Sequence, residues 1–402
     1  MEVVLIHYSY PPVIGGVESI LRQHAAQFVR DGHSVVVLAG SGESDAHARV
    51  EIVPELAATH PLRAAMDCEL AAGAPGPAFA ELQRRLATFF TVRLAEVAVV
   101  IVHNVLTMPF HLAATAALWA WAESRPRARI VNWIHDLAAA NPDHRFPAGE
   151  MFPWNLLRRP AAGVRNVAVS ELRRRQFETL TGNPGCTVVP NGIHPVETLA
   201  LTSPVALLAR RAGWPDRWPV LFHPTRLLRR KNVEFGIAVA AALLKLGEHP
   251  FYVVTGASNP HQASSREYAE SLRRLVRELG LEQAVVFAHD DFVVSDADVA
   301  SMYRWADAVF FPSRQEGFGL PLVEAAVHRV PVFAPRIEPL TDLAGAHWFE
   351  AEASAADVAT FVRDTLRGDV AGRVRREALA RFGWNTLHPR FLVPLLDGLA
   401  GG

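Results

Sequence analysis

The chain of 402 residues has few of the features that mark secreted or membrane-spanning proteins. It holds only two cysteines, Cys68 and Cys186, and their spacing matches no metal or redox motif, which favours a reducing compartment. The longest apolar runs, near residues 97–102 and 113–122, are shorter than a membrane span. Residues 1–6 also lack the basic flank of a signal peptide. We therefore expect a cytoplasmic protein whose membrane contact is at most peripheral.

The chain also lacks an excess of charge of either sign. Lysine and arginine number 40 and aspartate and glutamate 41, so the net charge is −1 at pH 7. This balance gives no reason to expect nucleic acid as a partner. Half of the residues are apolar and 20% are charged, as in ordinary globular proteins. The length exceeds the needs of one hydrophobic core and predicts two domains.

Buried-strand patterns alternate with helical patterns in both halves of the chain. Residues 3–7 and 34–39 read as strands around an amphipathic helix over 17–30, and a similar β/α pattern begins at residue 220. Such alternation predicts doubly wound parallel sheets with helices on both faces. Residues 41–76, rich in Ala, Gly and Pro, give little pattern.

The most informative stretch is 313–326, which lies between the strand patterns 307–312 and 330–334. A loop and a short crossover helix must fit between two parallel strands. Gly317 and Gly319 leave the loop backbone open to a ligand, and Pro321 suits the first helical turn. Such a helix start attracts anions, phosphate above all.

Two carboxylates, Glu316 and Glu324, flank this helix start. Because carboxylates repel phosphate, the expected partners are hydroxyl groups on either side of it. A molecule with sugar hydroxyls, a diphosphate and then a ribose fits this order, which predicts a nucleotide-sugar site. The simpler alternative is a Gly-Pro turn with two solvated glutamates.

The string Glu-Gly-Phe-Gly-Leu-Pro-Leu-Val-Glu-Ala, from Glu316 onward, closely resembles the signature of the retaining family 4 glycosyltransferases, also called glycosyl transferases group 1. That family has the GT-B fold, in which two Rossmann-like doubly wound domains face a central cleft. The resemblance implies that Glu316 and the amides of 317–319 hold the donor sugar and that Glu324 holds the ribose.

Further strings resemble the same family in the same order along the chain. Gly15 and Gly16 match glycines that lie in the cleft opposite the donor diphosphate, although an ordinary glycine turn is the alternative. His135, followed by Asp136, matches a pair on the acceptor side, although a structural histidine is the alternative. In the second half, Arg226 and Lys231 match the two cations that hold the diphosphate; a solvated basic face is the alternative, and it is the interpretation preferred for Arg229 and Arg230.

The resemblance implies that the two domains have different roles. Residues 1–190 would form the acceptor-side domain, 191–382 the donor-binding domain, and 383–402 a helical tail that crosses back to the first domain. The implied catalytic residues are His135, Arg226, Lys231 and Glu316. The implied donor-binding residues are Gly15, Gly16, Arg226, Lys231, Glu316, Gly317, Phe318, Gly319, Leu320 and Glu324.

Two departures from the family pattern leave the donor base open. The turn 256–260 lacks the usual Gly-x-Gly form, and 289–291 reads His-Asp-Asp where a glycine is usual. The Asp296-x-Asp298 string resembles a metal motif of another glycosyltransferase fold, but a helical pattern follows it, so we expect a helix cap. No metal site and no cofactor are predicted.

The expected function is metal-independent transfer of a hexosyl group, with retention of configuration, from a UDP- or GDP-hexose to an acceptor hydroxyl. A sugar phosphorylase or a sugar-nucleotide epimerase on the same fold is an alternative enzyme. A non-catalytic protein that binds nucleotide sugars is an alternative of another class.

Overall fold

The computed structural model describes residues 1–125, 129–144, 146, 151–159, 163–256, 263–343 and 345–400. The chain forms two compact units. The first combines Met1–Ile193 with Trp384–Gly402, and the second is His194–Gly383. The predicted domain borders, after residues 190 and 382, lie within a few residues of these divisions, and the tail is part of the first unit.

Each unit is built on one parallel sheet whose central strands are buried on both faces, which is why these strands are nearly continuous runs of apolar residues. The strands of the first unit are β1 (Glu2–Ile6), β2 (Ser34–Ala39), β3 (Arg49–Ile52), β4 (Val99–His103), β5 (Ile130–Ile134), β6 (Val164–Ala168) and β7 (Thr187–Val188). Those of the second unit are β8 (Val220–His223), β9 (Phe251–Val254), β10 (Val285–Phe287), β11 (Ala308–Phe310), β12 (Val332–Pro335) and β13 (Ala346–Phe349).

Helices connect these strands and cover the sheets. In the first unit they begin with α1 (Gly16–Arg30), α2 (Pro61–Ala71), α3 (Pro77–Arg93), α4 (Leu112–Ser124) and α5 (Glu171–Thr181). The second unit contains α6 (Pro195–Thr198), α7 (Ser203–Arg211), α8 (Val233–Lys245), α9 (Ala263–Glu278), α10 (Ala288–Asp291), α11 (Asp296–Trp305), α12 (Leu320–Val327), α13 (Ala355–Gly368) and α14 (Val370–Phe382). The tail adds α15 (Trp384–Leu387) and α16 (Val393–Ala400), joined by a π-helical turn at His388–Leu392.

The strand order shows where each sheet can hold a ligand. The first sheet has the order β3-β2-β1-β4-β5-β6-β7 and the second the order β10-β9-β8-β11-β12-β13. In each sheet the chain builds outward in one direction, then returns to the middle and builds in the other. The reversal falls between β1 and β4 in the first unit and between β8 and β11 in the second. Ligands of such sheets bind outside the carboxyl ends of the strands at this switch point.

Alternation along the central strands of the first sheet divides its core into two layers. Val4 of β1 and Val100 of β4 pack with α3 and α4, whereas the neighbouring Val3 and Val99 pack with α1 and the tail helices. The tail therefore completes one face of the first sheet.

Trp384 fixes the start of this tail. Its ring is 1% exposed, and its indole N–H donates to Gln23 on α1 at 2.6 Å. A Cβ atom on Gly192 would lie 2.4 Å from the Trp384 ring, so only glycine fits at that position of the segment between the units. Gly192 is thus explained by its close approach to the tail.

The doubly wound α/β fold predicted for both halves is confirmed by the two sheet orders. Strand β3 and helix α2 lie within residues 41–76, the stretch in which no helix or strand was predicted. The His-Asp-Asp segment forms the short helix α10. Of the departing turn 256–260, only Gly256 lies within the described residues, at φ 77°. No helix among the described residues is long and apolar enough to cross a membrane.

Candidate functional site

The switch point of the second unit brings together residues that lie far apart in the sequence. Strand β8 leads into the loop that contains Arg226 and Lys231, and β11 leads into the loop that contains Glu316. Since β8 and β11 are paired neighbours, their carboxyl ends meet at the same edge of the sheet. We call the residues of these two loops and the first turn of α12, Pro224–Asn232 and Phe311–Glu324, the cradle.

An ion pair joins the two loops of the cradle. Lys231 Nζ contacts Glu316 Oε1, and the two side chains are only 13% and 7% exposed. Arg230 lies 3.4 Å from the other oxygen of Glu316 and donates to the carbonyl of Gln315 at 3.1 Å. Two cations thus hold the Glu316 carboxylate. Arg230 is exposed, as expected for a solvated face, and its guanidinium also contacts the predicted sugar-binding glutamate.

Lys231 is further fixed by an aromatic ring. Its ammonium nitrogen lies 4.9 Å from the ring centroid of Phe311, the residue after β11. A cation over an aromatic face is attracted by the ring, more strongly where water is excluded. By contrast, Arg226 is exposed at the carboxyl end of β8, and Arg229 lies over the ring of Tyr268 with 5.1 Å to its centroid. The side chain of Lys231 is thus held by its contacts with Glu316 and Phe311, whereas the side chain of Arg226 is exposed to solvent.

The start of α12 depends on Gly319. This residue is the N-cap and has φ 102°, a left-handed conformation that favours glycine. A Cβ atom here would also lie 2.5 Å from a methyl group of Leu340. Among the described residues no side chain caps this helix. The first amides of a helix generally have no partner within it. In α12, Pro321 has no N–H and the amide of Leu322 donates to the carbonyl of Gly319 at 2.9 Å, which leaves the amide of Leu320 available to an anion.

The other predicted loop residues lie at the surface around this helix start. Gly317 is exposed with open space where a Cβ would be, and Phe318 and Leu320 are 54% and 60% exposed. Their side chains leave the backbone accessible, as the sequence predicts for a ligand-binding loop.

Glu324 lies one turn into α12 and its side chain is exposed. Its Oε2 accepts a hydrogen bond of 2.7 Å from the hydroxyl of Tyr303 on α11. Burial, and then this carboxylate, raise the pKa of Tyr303, so the hydroxyl remains a donor. Beside Glu324 lies a pocket of about 330 Å³, lined by Asp296, Val299, Ala300, Tyr303, Val323, Val327 and His328.

Three buried polar atoms near the switch point have no hydrogen-bond partner among the described residues. They are His223 Nε2 at the end of β8, Asn232 Oδ1 before α8, and Ser313 Oγ after β11. Burial, and then the charge of Lys231, lower the pKa of His223 to about 3, so this ring is neutral. Unsatisfied buried groups are unfavourable, so a ligand that bonds to them would stabilise the unit. The sequence analysis missed all three, although each lies just after a strand or before a helix.

The first unit gathers histidines at its own switch point. His7 follows β1, His103 ends β4 and His135 follows β5. His103 Nδ1 and His135 Nε2 are 3.1 Å apart and share a hydrogen bond, and His7 Nδ1 lies 2.9 Å from the carbonyl of His103. Burial, and then the charge of His7, lower the pKa of His135 to about 3. His135 is therefore a neutral, hydrogen-bonded ring at pH 7.

Asn104 holds the backbone beside His135. Its side-chain oxygen accepts from the amides of His135 and Asp136 at 2.8 and 3.0 Å, and its own φ is 60°. The Asp136 carboxylate pairs with Arg173 at 2.7 Å. The side chain of His135 thus bonds to His103, whereas the side chain of Asp136 pairs with Arg173.

The carboxylate of Glu18 lies where a side chain at position 15 would begin, which explains Gly15. A Cβ on Gly15 would lie 2.0 Å from Glu18 Oε2, whereas Gly16 has open space. Glu18 accepts from the hydroxyl of Ser9 at 2.6 Å and lies 3.7 Å from His7. These two contacts, that with His7 first, lower the pKa of Glu18 to about 2. Gly15 therefore makes room for an ionised carboxylate at the start of α1.

The Asp-x-Asp string caps a helix, as predicted. Ser295 is the N-cap of α11 and forms a capping box with Asp298, which also accepts from Thr202 at 2.6 Å. Within the described parts of the chain, no cluster of three or more His, Cys, Asp or Glu side chains could hold a metal ion.

Two family models match almost the whole chain between them. "Glycosyltransferase Family 4" matches residues 14–197, and "Glycosyl transferases group 1" matches residues 207–364. The first model covers His103 and His135 but not His7, and the second covers the cradle.

Characterised relatives match parts of the chain. D-inositol 3-phosphate glycosyltransferase of Kineococcus radiotolerans is 30% identical over 274 residues, which are 62% of this chain and 60% of the relative. The serotype-specific mannosyltransferase WbdA of Escherichia coli is 38% identical over 74 residues, 18% of this chain and 9% of the relative. The chain thus spans less than two thirds of the length of these relatives.

Solved structures match the whole chain at lower identity. Sucrose-phosphate synthase from Thermosynechococcus elongatus is 17% identical over 100% of both chains, with a TM-score of 0.41. HepE from Anabaena, in complex with UDP-glucose, is 19% identical over 100% of both chains, with a TM-score of 0.38.

Proposed function

The chain belongs to the family 4 glycosyltransferases of the GT-B fold, and on this premise we propose that it transfers a hexosyl group from a nucleoside diphosphate sugar to an acceptor hydroxyl. The observation that carries the proposal is the cradle, in which a buried ion pair, an open helix start and an exposed glutamate surround one sheet edge. Two carboxylates separated by cations and a helix start suit a ligand with hydroxyl groups on both sides of a diphosphate.

Each part of the donor has a partner in this proposal. Arg226, Lys231 and the start of α12 bind the diphosphate, because all three present positive potential. Glu316 and the amides of 317–319 bind the sugar, and Glu324 binds the ribose hydroxyls. When the diphosphate attracts Lys231, Glu316 keeps Arg230 as an ionic partner, and its Oε1 becomes free for a sugar hydroxyl.

The reaction forms one bond to the anomeric carbon and breaks another on the same face of the sugar. The acceptor oxygen bonds to the anomeric carbon, the bond to the diphosphate oxygen breaks, and the departing diphosphate takes the hydroxyl proton. The anomeric configuration is retained. The chain contributes positioning and neutralises the charge that develops on the diphosphate. With fixed cations in the cradle, we propose that transfer requires no metal ion.

The first unit takes the acceptor in this proposal. His135 is a neutral ring that is 7% exposed, and its Nε2 is occupied by His103. Such a ring can form a hydrogen bond to a hydroxyl without carrying charge. Gly15 and Gly16, at the start of α1, remain predicted donor-binding residues. The acceptor class is any molecule with a free hydroxyl group, and the donor class is a UDP- or GDP-hexose.

A thermal-shift screen over UDP- and GDP-hexoses tests the proposal. Either the UDP-hexoses or the GDP-hexoses should raise the melting temperature of the protein, because a ligand that binds only the folded state stabilises that state. With that donor, release of nucleoside diphosphate should depend on an acceptor, and proton NMR of the product should show the configuration of the donor. Stabilisation without turnover for any acceptor would instead indicate a binding protein, and turnover that requires phosphate would indicate a phosphorylase.

A further inference from the structure

Tyr303 is held firmly by two aromatic contacts. It lies on α11 and is 1% exposed. Its ring packs edge-on against Phe222 of β8, with 5.1 Å between centroids, and stacks on His328 at 5.0 Å with an angle of 6° between the planes. A ring packed on both sides cannot change rotamer without disturbing the core.

The hydroxyl of this fixed ring points at Glu324. It donates to Glu324 Oε2 at 2.7 Å, and its other neighbour is the carbonyl of Pro321 at 3.5 Å. Because Glu324 is exposed, its carboxylate would otherwise move among several rotamers, and binding would have to overcome that entropy. The bond from Tyr303 fixes one oxygen, while Oε1 has no side-chain partner among the described residues.

We propose that Tyr303 is a positioning residue that orients the Glu324 carboxylate toward the ribose hydroxyls of the donor nucleotide. The proposal rests on the proposed function, in which Glu324 binds the ribose. Tyr303 does not touch the nucleotide in this account; its hydroxyl leaves Oε1 facing the ligand and lowers the entropy lost on binding. A purely structural tyrosine would support the fold of the unit but would not affect the preference for ribose.

Tyr303→Phe separates these two roles, because it keeps both ring contacts and removes only the hydroxyl. Calorimetry should compare uridine or guanosine diphosphate, whichever stabilises the wild-type protein, with its 2′,3′-dideoxy analogue. We expect the variant to bind the ribose form about three- to tenfold more weakly and the dideoxy form as well as the wild type. In a double-mutant cycle, Glu324→Gln should abolish this effect of Tyr303→Phe.

Tyr268→Phe is the matched control. Tyr268 is also buried and donates its hydroxyl to a glutamate, Glu234, within the same unit. Its removal should leave the ribose preference at the wild-type value.

Three results would overturn the proposal. If Tyr303→Phe lowers the melting temperature and weakens both nucleotides equally, the residue is structural. If Tyr303→Phe keeps the wild-type ribose preference while Glu324→Gln loses it, the proposed function stands and the positioning role is wrong. If the wild-type protein binds neither diphosphate, both the proposed function and this inference are wrong.

Discussion

Lys231 and Glu316, 85 residues apart in the sequence, form an ion pair at the edge where β8 and β11 end. Both were predicted to bind the donor, but one to its diphosphate and the other to its sugar. Their contact holds both charges at this edge of the sheet. Fixed charges in a site with little water stabilise a developing negative charge more strongly than mobile ones do.

Removal of either predicted diphosphate cation should slow transfer greatly. We expect Lys231→Ala and Arg226→Ala each to lower the initial rate by about a hundredfold or more, because each removes positive charge from the departing diphosphate. Arg229→Ala, which removes an exposed arginine from the same loop, should change the rate little. A similar loss of rate in all three variants would indicate that the rate depends on the total positive charge of the loop and not on Lys231 and Arg226 in particular.

Transfer should proceed without a divalent metal ion. Initial rates measured in excess EDTA should be close to those measured in magnesium, because cations of the protein already neutralise the diphosphate. Loss of activity in EDTA that added magnesium or manganese restores would show that the account based on two cations is wrong.

Glu316→Gln should reduce turnover of the complete donor and spare the affinity for the free nucleoside diphosphate. The change removes the charged acceptor for the sugar, while Lys231, freed from its partner, remains to bind the diphosphate. Steady-state kinetics and calorimetry on the same preparation measure both quantities. Equal losses for the two ligands would argue against a sugar-facing role.

His135→Ala should lower transfer and leave donor affinity close to that of the wild type, because His135 belongs to the first unit. Asp136→Asn serves as the comparison, since that carboxylate pairs with Arg173 and we expect a smaller effect. Wild-type rates from folded His135→Ala would make this residue a structural histidine.

The buried histidines predict a loss of stability as the pH falls. Burial is the main cause that lowers the pKa of His24, His135 and His223 to about 3 each. Below about pH 6.5 the unfolded chain takes up protons at these residues while the folded protein does not, so acid favours unfolding. The free energy of unfolding should therefore be lower at pH 5 than at pH 7.

His24→Phe tests this explanation at one residue. His24 is fully buried, its ring centroid lies 4.4 Å from that of Trp133, and neither ring nitrogen has a hydrogen-bond partner among the described residues. The variant should reduce the stability lost between pH 7 and pH 5, by up to about 2 kcal/mol. Urea unfolding at both pH values measures the difference, and an unchanged pH dependence would contradict the role of His24.

The sequence was sufficient to predict the two doubly wound sheets, because apolar runs and helical spacing are local properties. Weak elements were missed where burial is slight. Strand β3 lies at the sheet edge with its residues partly exposed, and Met66 is the buried residue of α2. Such segments depend on the rest of the unit for their structure, so their own pattern carries little signal.

The contacts among the predicted site residues could not be predicted from the sequence. The string from Glu316 to Glu324 identified the helix start, and Gly319 indeed has the positive φ that only glycine adopts easily. The pairing of Lys231 with Glu316, and of Tyr303 with Glu324, joins side chains from different loops and helices. Local patterns do not specify such partners, since the strand order of the sheet brings them together.

The central claim is that the start of α12, with Glu324, holds the nucleoside part of a nucleotide sugar. Calorimetry of uridine or guanosine diphosphate with the wild-type protein and with Glu324→Ala tests this claim most directly. Loss of hydrogen bonds to a charged acceptor, about 1.5–3 kcal/mol each, predicts at least a tenfold lower affinity in the variant. Unchanged affinity in folded Glu324→Ala would contradict the account.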